Sequence, residues 1–112
     1  MTRITVSVTD LSVRLEVNGH SGYAESGKDI VCSAVSILTY TVAQLLFEMN
    51  ANDRLSKSPT VKLCEGNSLV EAECKDQEAL KEAMQIMHFA KAGYSLLQNS
   101  YPEYVKFVTN SI

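Results

Sequence analysis

The 112-residue sequence has three cysteines, Cys32, Cys64 and Cys74, and no CxxC pair. An odd count argues against the disulfide framework of a small secreted domain. Structural zinc needs four Cys/His ligands, and only His20 and His88 are available to join the thiols, none of them at a ligand-like pair spacing. No metal and no cofactor is therefore implied, and the thiols read as reduced, with Cys64 and Cys74 buried in strands. Excess charge is also scarce. Ten Lys+Arg against thirteen Asp+Glu leave a net charge of −3, which argues against a chain whose main task is gripping nucleic-acid phosphates. No run approaches the roughly 18 to 20 apolar residues of a bilayer span, and the first eight residues alternate where a secretory signal would be continuously apolar. The 46% hydrophobic and 21% charged residues are those of an ordinary globular protein. The expectation is one soluble, cytoplasmic domain over residues 1–112, with no direct nucleic-acid partner and no membrane partner.

Two period-2 runs come first. Ile4, Val6 and Val8 alternate with polar residues, and Val13, Leu15 and Val17 do so again after Asp10, which predicts an antiparallel hairpin. Residues 19–28 hold three glycines in ten and have no period, so they form a loop. Asp29 then caps a helix from Ile30 to about residue 50 or 52. That helix is apolar on more than one face, which points to a second partner besides a sheet, most simply another copy of the chain. Thr60 to Cys64 and Leu69 to Cys74 flank a turn at residues 65–68 and read as a second hairpin. Asp76 caps a second helix to about Asn99, and Pro102 breaks it. The order ββαββα predicts an α+β two-layer domain, an antiparallel sheet with helices packed on one face.

Cys32 falls in the first turn of the first helix, where unpaired N–H groups and the positive end of the macrodipole favour a thiolate. His20 sits at the mouth of the preceding loop, which can fold back to the thiol and supply a base to a nucleophile. Ser36 shares the helix face of Cys32 at i+4. Asp29 can serve as cap and as His20 orienter, although a carboxylate so close opposes thiolate formation. The N–H groups at this helix start, that of Cys32 included, are candidate oxyanion donors. On spacing alone, Cys32 reads more readily as core packing and His20 as a solvated turn residue.

The stretch from Val17 to Ser36, with Gly19-His20, a Gly-containing loop, then Asp29-Ile-Val-Cys32 followed by small residues and Ser36, resembles the signature of the bacterial ribosomal-processing cysteine protease family, Prp. The late Tyr101-Pro-Glu-Tyr-Val is similar as well. Ser21 stands where the family often has Ala, a small-for-small change. The resemblance implies a cysteine endopeptidase that removes the N-terminal extension of a large-subunit ribosomal protein precursor. By position it implies Cys32 as nucleophile, His20 as general base, Asp29 and Ser36 as site-supporting residues, and Gly19 and Gly27 as hinges of a mobile loop. It also implies a homodimer. The alternative function is a non-catalytic ribosome-associated binding or regulatory module on the same fold.

Overall fold

The computed structural model describes residues 1–25 and 27–109, with Thr109 described in its backbone alone. Strands β1 (Thr2–Thr9) and β2 (Ser12–Asn18) pair antiparallel with Ile4 opposite Val17, Val6 opposite Leu15 and Val8 opposite Val13. One face of the hairpin is thus apolar, as the alternation predicts. Asp10 takes the positive φ of the tight turn, 54°. Helix α1 (Ile30–Ala51) starts at Asp29, whose side chain accepts from the Cys32 N–H. The second hairpin is β3 (Thr60–Cys64) and β4 (Asn67–Glu73), with β4 beside β2. Helix α2 (Gln77–Ser100) is capped by Asp76 through the Ala79 N–H.

The helices cover the apolar face of the sheet. Ile4, Val6, Val13, Leu15 and Val70 are sealed beneath them with Val42, Leu46, Ala83, Met87 and Tyr94. The opposite face is polar: Arg14 on β2 reaches Glu16 at 2.8 Å and Glu71 at 2.7 Å. Between the helices, the buried Tyr94 hydroxyl and Thr39 Oγ1 lie 2.8 Å apart, and Thr39 in turn donates to the Val35 carbonyl. Burial pushes the Tyr94 hydroxyl up to about 12, only partly offset by Thr39. Gly93 lets the helices approach, since a Cβ there would lie 2.7 Å from a Leu38 methyl.

The α+β two-layer architecture is observed, and three details differ from the sequence expectation. First, the sheet is mixed, not wholly antiparallel. A fifth strand, β5 (Val105–Thr109), pairs parallel with β1 and completes the order β3-β4-β2-β1-β5. Pro102 does end α2, but hydrogen bonds from the N–H groups of Tyr104 and Val105 to the Tyr101 carbonyl turn the chain back to the sheet. Val105 is then buried and Phe107 stacks on Tyr94, with ring centroids 5.9 Å apart. Second, β4 begins at Asn67, so the turn is only Glu65-Gly66, and Cys64 opposes Asn67 on an edge strand. Cys64 is consequently exposed, whereas Cys74 is buried as expected. Burial, with Asp76 and Glu82 nearby, raises the Cys74 thiol. Third, α1 is by length and composition long and apolar enough to cross a membrane. Counting consecutive apolar residues missed this because Ser33, Ser36, Thr39, Thr41 and Gln44 interrupt the run without adding charge. In this fold, Val31, Val35, Val42, Leu46 and Met49 of α1 are buried.

Candidate active site

The loop from Gly19 to Lys28 closes over the start of α1, and its two ends are held differently. At Gly19 the N–H donates to the Gly66 carbonyl at 2.9 Å and the carbonyl accepts from Thr2 Oγ1 at 3.2 Å. A Cβ at Gly19 would sit 2.5 Å from the Met1 carbonyl oxygen, so only glycine fits there. Gly27, also at positive φ, stands in open space. Midway, the ring of Tyr23 meets Tyr101 and Tyr104 edge-on, with centroids 5.5 and 5.3 Å away. Of the two expected hinges, Gly19 is therefore anchored, whereas a side chain at Gly27 would meet no neighbour.

Between this loop, the first turns of α1 and the β3–β4 turn lies a cavity of about 510 Å³. His20, Asp29, Cys32 and Ser36 all line it, as do Gly19 and Gly27. The fold thus brings every residue singled out from the sequence to one concave site.

Inside it, the hydrogen bonds run along a path that the sequence does not announce. The Cys32 thiol donates to Ser21 Oγ at 3.4 Å, and the Ser21 hydroxyl donates to Asp29 Oδ2. Asp29 Oδ1 accepts from the Cys32 backbone N–H at 2.9 Å, and Oδ2 is 3.4 Å from the Ala24 N–H. Ser21 and Asp29 are 2% and 7% exposed. Burial by itself raises the Asp29 carboxyl. The hydrogen bonds from the Ser21 hydroxyl, the Cys32 and Ala24 N–H groups and the Cys32 thiol outweigh it and hold the group down at about 2. Asp29 is therefore an anion at neutral pH, satisfied by donors on several sides.

Two expectations change. The Cys32 N–H, expected among the oxyanion donors, is taken by the Asp29 cap. Asp29 itself faces Ser21 and Cys32, while the exposed imidazole of His20 faces the β3–β4 turn, with Nδ1 3.8 Å from Glu65 Oε1. Ser21 is the residue sequence reasoning missed. Its hydroxyl is committed as donor to the carboxylate, which leaves its lone pairs to accept from the thiol. The signal that could have found it is a hydroxyl residue beside a candidate base, in a loop leading to an Asp N-cap. Chemically, the site offers a half-buried thiol at a helix start, an imidazole on the same cavity and an open wall for a peptide.

No curated relative matches the chain in sequence. The family model for cysteine protease Prp matches residues 1–106. The chain belongs to the Prp family of cysteine proteases. Its fold is similar to that of the essential ribosomal processing protease Prp of S. aureus in complex with a covalently linked product peptide. The TM-score is 0.77 at 18% identity, over 98% of this chain and 100% of that one. The same S. aureus protease in complex with a substrate peptide gives 0.68 at 18% identity, over the same shares. SMU.848 of Streptococcus mutans gives 0.68 at 20% identity, over 100% of this chain and 96% of that one. Membership of the Prp family makes the chain a peptide hydrolase, and the likenesses carry the fold.

Proposed function

We propose that this Prp-family protease, as a single cytoplasmic domain over residues 1–112, removes the N-terminal extension of a large-subunit ribosomal protein precursor with Cys32 as nucleophile and His20 as general base. The observation that supports the reading most is that the thiol at the start of α1 and the imidazole in the loop just after β2 line the same cavity. The S. aureus relative of the same fold is a ribosomal processing protease that takes a substrate peptide.

The reaction needs the thiol to leave Ser21 and the imidazole to turn toward it. His20 takes the Cys32 proton and the sulfur attacks the scissile carbonyl carbon, forming the C–S bond. The positive end of α1 faces the charge that develops on the carbonyl oxygen. His20 then gives its proton to the leaving amine as the C–N bond breaks. Water, deprotonated by His20, hydrolyses the thioester and the thiol is restored. Asp29 fixes the helix start and Ser21, Ser36 lines the substrate wall, and Gly27 gives the loop freedom to open.

Homodimerisation accounts for the apolar residues left outside the core. Ile37, Tyr40 and Phe47 on α1 and Phe89 and Leu96 on α2 are exposed, Ile37, Phe89 and Leu96 by more than 60%. Sedimentation velocity of Ile37→Glu/Phe47→Glu tests this: the wild type is expected as a dimer and the variant as a monomer. A dimeric variant contradicts this surface.

The test of the catalytic assignment is cleavage of the extended precursor by wild type, Cys32→Ala and His20→Ala. Wild type alone is expected to cut. A folded Cys32→Ala variant that still cuts removes the nucleophile assignment.

A further inference from the structure

The β3–β4 turn holds no residue that the reaction above uses, yet it touches the site at two points. The Gly66 carbonyl accepts the Gly19 N–H, one residue before His20, at 2.9 Å. The imidazole of His20 lies directly over the Gly66 Cα. A Cβ at Gly66 would sit 2.6 Å from Nε2, 2.9 Å from Cε1 and 3.2 Å from Cδ2. All three distances are inside the contact limit, and two are closer than any real Cβ approaches. The His20 side chain is otherwise open, 63% exposed, so a Cβ at position 66 would push the ring out of this space toward solvent. Gly66 also takes φ +77°. The turn alone would accept Asn at that angle, which is its commonest substitute for glycine. The ring would not.

We propose that Gly66 is a positioning residue for the protease reaction: its missing side chain leaves the space in which the His20 imidazole rests and from which it turns to Cys32, and its carbonyl fixes the backbone from which His20 projects. The inference rests on the assignment of His20 as the base. It makes the second hairpin part of the catalytic apparatus, with a steric requirement that is separate from the requirement of the turn. A side chain at position 66 displaces the ring without altering the thiol, the cap or the peptide wall on α1.

The experiment compares wild type, His20→Ala, Gly66→Ala and Gly66→Asn on a peptide spanning the precursor's processing site, with thermal unfolding of each. Asn relieves the turn strain that Ala meets, and both introduce the Cβ. Both Gly66 variants are expected to lose kcat tenfold or more with KM within about twofold, Asn unfolding closer to wild type than Ala. Wild-type kcat in a folded Gly66→Asn variant overturns the inference. A change confined to KM overturns it too, because it assigns the turn to substrate binding. Should both variants fail to fold, a nuclear Overhauser contact between the His20 ring and the Gly66 Hα protons decides in wild type: its presence supports the inference and its absence overturns it. Full activity in His20→Ala instead refutes the assignment of the base, whatever the Gly66 variants do.

Discussion

The Cys32 thiol donates its hydrogen bond to the hydroxyl of Ser21, 3.4 Å away, and Ser21 passes its own proton toward Asp29. The resting thiol is thereby tied, through one buried hydroxyl, to the carboxylate that also caps its helix. Ser21→Ala leaves that carboxylate buried with one strong donor fewer. Hydrogen bonds to charged groups contribute about 2 kcal/mol, and a loss of that order is expected in urea unfolding. An unchanged unfolding midpoint would falsify the role given to Ser21.

Acid should weaken the fold through Asp29 in a defined window. Its folded-state carboxyl, held at about 2, lies below the ordinary carboxylate range near 4. The stabilisation is therefore complete above about pH 4 and is lost as pH falls through about 2. The stability gap between wild type and Asp29→Asn is expected to be constant from neutral pH to about 4 and to shrink below it. A gap that stays constant down to pH 2 contradicts the depressed carboxyl.

Tyr23 anchors the middle of the loop between Tyr101 and Tyr104. Each edge-to-face pair contributes about 1 kcal/mol beyond simple burial. Tyr23→Ala is expected to speed amide hydrogen exchange across residues 19–28 roughly tenfold or more while leaving α2 protected. Unchanged exchange in the loop would show that Gly19 alone sets its stability.

Much of this architecture is legible in the chain. Period 2 in Ile4–Val8 and Val13–Val17, and the Asp caps at positions 29 and 76, locate the first hairpin and both helix starts because each is a local rule. What escaped depends on pairing at a distance. Among the described side chains of β5, only Val105 and Phe107 face inward after a helix-breaking proline, and its partner is the first strand of the chain, so no local period marks it. Cys64 is exposed because it ends an edge strand, and no local pattern marks which strand lies at the edge of the sheet. At the site, Cys32 and His20 stand out by residue type and by the block they share with the Prp family. Ser21 and Gly66 do not, since their importance lies in contacts with residues 11 positions on and, for Gly66, on another hairpin. The uncharged hydroxyls of α1 also hid its apolar length from a count of consecutive residues.

The most direct measurement is intact-mass analysis of the extended ribosomal protein precursor after incubation with wild type and with Cys32→Ala. A single cut near the precursor's N-terminus by wild type is expected, with the folded variant slower by at least about a thousandfold. Cutting by the variant at the wild-type rate, or a folded wild-type protein that leaves the precursor intact, contradicts the account.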